Sequence, residues 1–382
     1  MIKRNLLKRF SVPILALAMV LTTISACSNT ATPNAENNAV EADNAAVQDN
    51  NESNVLSVYN WGEYIDPEVI TMFEQETGIR VNYDMFETNE EMYPRIEKSA
   101  ASYDCICPSE YMIEKMIKND LLQEVDKSSM KYYNNLNKEK LAMMDQVDNG
   151  NKYAVPYMCG TVGILYNKTL LDEKKLPYPE TWADLFKEEY KDEILMQNSV
   201  RDAFMVALKK NGYSMNSTDA NELDKATDDL VAQKPLVQAY VVDQVRDKMI
   251  AGEAAIGVIY SGEVIYIKTE AADNGYEYKY VLPKEGTNVW IDGWVIPKNA
   301  KNVENANKWI DFMCREDVAK MNAEFITYES PNDAANKIIN SDYKLEGDII
   351  VDYTKNNNEV FKYLGDEVDD MYNERWKKIK GQ

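Results

Sequence analysis

The sequence predicts an α/β fold built as two lobes. Strand and helix signals alternate along the chain, which is the pattern of βαβ units. The chain is also long: its 382 residues, against ~150 for a typical domain, leave room for two α/β bodies. Hydrophobic residues at 45% and charged residues at 28% suit a globular protein.

The elements follow in order. Residues 55–60 read as a strand. Asp66 and Pro67 then open a helix, since Asp is a good N-cap and Pro suits the first helical position. Val69, Ile70 and Phe73 give this helix its apolar face, and Gly78 stops it. Residues 79–83 are the next strand, and 103–107 another, ended by Pro108. Ser109 caps a helix that runs to about residue 117. Residues 154–157 and 163–167 read as two strands, Thr181 to Asp184 as a capping box, and 194–196 as a strand. Helices are expected at 199–211, 219–233 and 243–252. Residues 254–260 form an apolar strand, 289–296 another, and helix predominates from there to Lys380.

Composition removes many functions. Lys plus Arg is 42 and Asp plus Glu is 64, a formal net charge of −22. Phosphate binding needs a basic surface, so nucleic acid is excluded as a partner and cationic partners are favoured. The chain has no histidine, so no Ser-His-Asp triad, Cys-His pair or His-ligated zinc can form. No G-x-x-x-x-G-K-[ST] or G-x-G-x-x-G run is present, so no nucleotide loop is evident. Cys105, Cys107, Cys159 and Cys314 read as buried free thiols, because a lone C-x-C without histidine is weak evidence for metal. No cofactor and no metal are expected.

The N-terminus reads as an address. Lys3, Arg4, Lys8 and Arg9 precede an apolar run over 11–26 that is too short to span a bilayer. The run ends Ile24-Ser25-Ala26-Cys27, which resembles the lipobox of bacterial lipoproteins. That resemblance implies a signal peptide at 1–26 and lipidation of Cys27. Residues 28–53 are Asn, Ala, Glu, Asp, Thr and Ser with little apolar content, a flexible tether of roughly 25–30 Å as a random coil. The body starts near residue 54 and stands outside the cytoplasm, held to the membrane by lipid only.

In open α/β sheets, ligands sit beyond the carboxyl ends of the strands. Those ends here repeat one chemistry. They carry Asn60-Trp61-Gly62-Glu63-Tyr64, Pro108-Ser109-Glu110-Tyr111, Ser199-Val200-Arg201-Asp202 and Tyr260-Ser261-Gly262-Glu263, and the late strand holds Trp290-Ile291-Asp292. An aromatic ring beside a carboxylate suits an organic cation: ring faces attract it by ~0.5–2 kcal/mol, and carboxylates add ~1.5–3 kcal/mol. Each run also has a structural reading. Ser199 and Asp202 form a capping box, Arg201 can simply hold Asp202, and Trp61 and Tyr64 can be core.

Tyr-Asn-Trp-Gly-Glu-Tyr (59–64), Pro-Ser-Glu-Tyr (108–111), Trp-Ile-Asp (290–292) and Ile-Thr-Tyr-Glu-Ser-Pro-Asn (326–332) resemble the spermidine/putrescine-binding proteins of bacterial polyamine ABC transporters. Glu-Thr-Gly-Ile-Arg-Val (76–81), Thr-Trp-Ala-Asp-Leu-Phe (181–186) and Pro-Lys-Glu-Gly (283–286) add weaker matches. The resemblance implies a two-lobe type II periplasmic-binding fold with crossovers near 157–162 and 288–292. Lobe 1 would be 54–160 plus 291–336, and lobe 2 would be 161–290 plus 337–382. The ligand would be spermidine or putrescine, captured by lobe closure and passed to ABC permease subunits. By the same resemblance, Trp61 and Tyr64 flank the ligand, Glu63 contacts it, and Ser109 and Tyr111 line the first lobe. Trp290 stacks on its methylenes, Asp292 and Asp202 hold amines, Tyr260 is a further ring wall and Tyr328 completes the site. Ser199 stands where several members have Asp, and Glu263 where putrescine-preferring relatives place an acid. That exchange bears on diamine against triamine. Two other readings share these residues: the same scaffold for an amino acid or sugar, and a carboxylate-pair glycoside hydrolase. An anion is disfavoured, because Arg201 is the one obvious cation.

Overall fold

A computed structural model describes residues 54–98, 103–343 and 357–381, and Ser53–Gln382 clusters as one compact unit. The expected signal peptide, the expected lipidation site Cys27 and the expected tether lie outside the described residues. Among those described, no helix is long and apolar enough to cross a membrane.

Among the described residues, ten strands form one connected sheet: β1 (Val55–Trp61), β2 (Arg80–Phe86), β3 (Cys105–Ile106), β4 (Leu122–Gln123), β5 (Ala154–Asn167), β6 (Ile194–Gln197), β7 (Val237–Val241), β8 (Ile256–Tyr260), β9 (Tyr278–Val281) and β10 (Val289–Pro297). The order is β2-β1-β3-β10-β5-β8-β6-β7, with β4 on β10 and β9 on β5. β1 runs parallel to β2 and β3, while β10 inserts antiparallel between β3 and β5.

The helix Pro67–Thr77 takes the predicted caps. The Asp66 carboxylate accepts from the Glu68 N–H, and Gly78 closes it in the left-handed region at φ 70°. The Thr181–Asp184 capping box also forms, but around a short 3-10 turn, Trp182–Phe186. One expectation needs correction. The segments 154–157 and 163–167 are a single 14-residue strand, buried throughout. Pro156, Gly160 and Gly163 weaken the strand signal between them, yet both edges are paired. Its first half pairs with β10 up to Thr161, and from Val162 it pairs with β8. β5 thus carries the sheet from one half of the body to the other.

Three packed clusters flank this sheet. One, with Phe73, Trp182, Trp294 and Trp309 at its heart, spans both halves. The four cysteines 105, 107, 159 and 314 are free and buried, and burial pushes their thiols up.

Candidate functional site

The floor of the site is the first half of β10. Trp290 and Asp292 are two apart, so both side chains leave the same face of the strand. The register shifts between Asp292 and Gly293, an irregularity that re-aims a strand side chain. There the Pro108 loop docks from the carboxyl end of β3: Ser109 bridges to Asp292, and the Gly293 N–H donates to the Pro108 carbonyl at 3.1 Å. The loop after β1 brings Tyr64, whose hydroxyl donates to Asp292 Oδ2 at 2.7 Å. Asp292 is buried, and its Oδ1 has no hydrogen-bond partner.

A second carboxylate repeats this pattern. Ser199 caps the helix Val200–Lys210, its Oγ accepting from the Asp202 N–H at 3.3 Å. The Tyr260 hydroxyl, at the end of β8, donates to Asp202 Oδ2 at 2.8 Å, and the buried Oδ1 is bare. Four rings join the two carboxylates. Tyr260 meets Trp290 edge-on at 6.1 Å between centroids, Trp290 meets Tyr328 at 5.1 Å, and Tyr328 meets Tyr64 at 5.9 Å. Two glycines make the row possible. A Cβ at Gly160 would stand 2.6 Å from the Trp290 ring, and one at Gly262 would overlap the Tyr328 ring.

Glu110 is a functional candidate that sequence reasoning passed over. It opens the helix Glu110–Lys118, where an acid looks like ordinary first-turn chemistry. It is fully buried. Oε2 accepts from the Ile291 N–H at 3.1 Å, and Oε1 has no partner. Burial, then the charges of Asp292 and Asp202, push its carboxyl up to about 8. Burial also lifts Asp292 to about 6, against hydrogen bonds from Tyr64 and Ser109. It raises Asp202 as well, against Ser199, Tyr260, Asn288 and Arg201. Three buried carboxyls, with Glu110 feeling the charge of both others and each keeping a bare oxygen, can bind hydrogen-bond-donating cations.

The other expected residues divide. Glu63 and Glu263 do come together, but on Arg246: its Nη1 donates to Glu63 Oε2 at 2.9 Å, while Nε and Nη2 grip both oxygens of Glu263. This corrects the reading of Arg201 as the cleft cation. The Arg201 guanidinium lies among the rings of Phe361, Tyr372 and Tyr111, and donates to Lys362 O and Asn216. Arg246 gave no signal because its partners are 183 and 17 residues away. Trp61 donates to the Cys107 carbonyl at 2.8 Å and packs on Phe86. The Tyr111 hydroxyl turns to Glu90 and Asn89. Ser199 caps its helix, but the expected capping box does not close, because the Asp202 carboxylate turns to Tyr260 and not back to the Ser199 N–H. No group of three or more potential metal ligands occurs among the described residues.

Such a two-part sheet with an aromatic and acidic floor defines a solute-binding protein, and residues 68–347 match the family model of that class, the bacterial extracellular solute-binding proteins. The chain belongs to this family. Within it the chain falls among the spermidine/putrescine-binding proteins. It is 36% identical to the spermidine/putrescine-binding periplasmic protein of Salmonella typhimurium, over 86% of this chain and 92% of that one. A solved structure from Listeria monocytogenes is 38% identical with a TM-score of 0.79, covering 86% of this chain and 99% of its own. The Streptococcus pneumoniae spermidine/putrescine ABC transporter substrate-binding protein is 37% identical with a TM-score of 0.72, covering 86% and 98%. The fold is therefore the two-lobe fold of periplasmic solute-binding proteins. The family serves transport and is not enzymatic, so the glycoside hydrolase reading falls.

Proposed function

We propose that this protein captures a polyamine, spermidine or putrescine, outside the cytoplasm and delivers it to the permease of an ABC transporter. The observation that carries the reading is the set of bare buried oxygens on Asp202, Glu110 and Asp292 beside the Tyr260–Trp290–Tyr328–Tyr64 row. Ammonium groups hydrogen-bond to Asp202 and Asp292, and the connecting methylenes lie against Trp290. Tyr64, Tyr260 and Tyr328 wall the chain, Ser109 holds Asp292 in place, and Trp61 and Tyr111 support the first lobe. The relatives' names point the same way, since the Salmonella and pneumococcal proteins are named for spermidine and putrescine.

Capture works by closure of two lobes, 54–160 plus 291–336 and 161–290 plus 337–382. The change of partner strand at Thr161 and Val162 supports a boundary there. Contacts to both lobes would select the closed form. A lipid on Cys27 tethers the body to the membrane, a reading supported by the basic run, short apolar run and Cys of the first 27 residues.

Calorimetric titration of Ser53–Gln382 with putrescine, cadaverine, spermidine and spermine tests this. A 1:1 heat with a dissociation constant of about 1 μM or tighter, ~8 kcal/mol of binding, is expected for at least one amine. No heat with any of the four would sink the reading.

A further inference from the structure

We propose that Lys115 is a positioning residue for capture: it latches the two lobes together from outside the ligand site and tightens the grip on every amine by the same factor. This inference rests on the polyamine and lobe-closure reading above and adds to it the contact that holds the closed form.

Two helices meet across the lobe boundary. The helix Glu110–Lys118 is built into the first lobe, where Met112, Ile113 and Met116 join the cluster of Tyr59, Ile106 and Val295. The C-terminal helix Asp366–Lys380 is built into the second. Its Tyr372 ring meets Phe204 edge-on at 5.0 Å, the Tyr372 hydroxyl donates to the Ser217 carbonyl at 2.9 Å, and Arg375 pairs with Asp224 at 2.7 Å. Lys115 stands between the two helices. Its ammonium lies 2.8 Å from Asp366 and 3.5 Å from Asp369, both in the first turn of the C-terminal helix. It also lies 4.7 Å from the centre of the Tyr93 ring and 5.2 Å from that of Tyr363. Beside it, one Glu114 oxygen accepts from the Tyr363 N–H at 2.8 Å and the other from Lys118 Nζ at 2.8 Å.

An ammonium among rings and carboxylates is the chemistry proposed for the ligand, supplied here by the chain itself. The Lys115 side chain is only 15% exposed, while Asp366 at 71% faces water, so the contact is shielded on one side and open on the other. None of these groups belongs to the Tyr260–Trp290–Tyr328–Tyr64 row, and none is among the acids that keep a bare oxygen. The latch forms only where the lobes meet. It therefore favours the closed form whichever amine lies in the cleft. Because ligand enters before the lobes shut, the latch acts on release and not on capture.

The test is stopped-flow tryptophan fluorescence with calorimetry, using putrescine and spermidine on wild-type Ser53–Gln382, Lys115→Gln, and Asp366→Asn with Asp369→Asn. Lys115→Gln should weaken both amines by about fivefold, the upper end for an ion pair with one side in water. The loss should sit in the dissociation rate, with association within about twofold and the ratio between the two amines kept. Lys115→Arg keeps the charge and should restore most of the affinity. Affinities within about twofold of wild type in Lys115→Gln overturn the inference, given the fivefold scale of the pair, and so does a loss confined to one amine. The double Asn variant covers a case where Lys115→Gln does not fold. It should show the same loss, and unchanged affinity there overturns the inference too. Lys115→Gln added to it should cost nothing more, since the pair is already broken; a second full loss would show separate roles and overturn the latch. Failure of the polyamine reading looks different, because wild type would then bind neither amine.

Discussion

Asp104, just before β3, and Asp292, within β10, are both buried carboxylates, and they are built in opposite ways. Asp104 takes N–H donors on both oxygens: Ser57 at 2.9 Å, Lys301 at 3.0 Å, Asn302 at 2.9 Å, and the Asn302 side chain at 3.0 Å. Asp148 is treated the same way by Lys152, Tyr153 and Ala154. Asp292, Asp202 and Glu110 each keep one buried oxygen without a hydrogen-bond partner. The lesson is that a carboxylate folded in for structure is enclosed by backbone amides. One kept for a ligand is buried, aimed by a neutral tyrosine or a single amide, and left incomplete.

That contrast can be broken or sharpened by experiment. The largest effect should come from Asp104→Ala, which strands the N–H groups of Ser57, Lys301 and Asn302. Stability should fall by about 3 kcal/mol, read from the urea midpoint, with polyamine affinity within about twofold, since the site is untouched. Strong loss of binding in this variant would erase the distinction. Asp292→Asn should do the reverse. Affinity should fall by about 10- to 100-fold, the value of a charge-assisted hydrogen bond. Stability should hold or rise, because an uncompensated buried charge is gone.

A pH series tests the bare carboxyls as a group. Asp292 stands near 6 and Glu110 near 8 when folded, both above their ordinary values. Between those ordinary values and pH 8 the folded protein holds more protons than the unfolded chain. Their contribution to stability is complete at low pH and is lost as pH rises through 6 and then 8. The unliganded body should therefore become less stable from about pH 5 to pH 8, while affinity for a diamine rises across the same window. Calorimetry in buffers of different ionisation enthalpy should show protons released on binding. Proton uptake on binding would contradict the carboxylate site. The smallest effect should be that of salt. A tenfold rise in ionic strength should weaken binding by only about two- to threefold, because buried pairs are poorly screened.

Much of this was legible in sequence. The caps of the helix Pro67–Thr77 and the strand ends carrying Tyr64, Asp202, Tyr260, Trp290 and Asp292 follow from local chemistry, and the structure brings those ends together. Three features were not legible, for physical reasons. β5 is one strand because both its edges are paired, and pairing overrides the local cost of Pro156 and its glycines. The helix Asn89–Glu97 carries Pro94 within it, which obscures its pattern. The roles of Glu110 and Arg246 depend on tertiary pairing: Glu110 reaches Ile291 across 181 residues, and Arg246 reaches Glu63 across 183.

The most direct test of the account is a crystal structure of Ser53–Gln382 grown with putrescine. The account predicts one amine nitrogen at about 3 Å from Asp292 Oδ1 and the other at the same distance from Asp202 Oδ1, with the methylenes over Trp290. An ordered diamine elsewhere, with those two oxygens still bare, would contradict it.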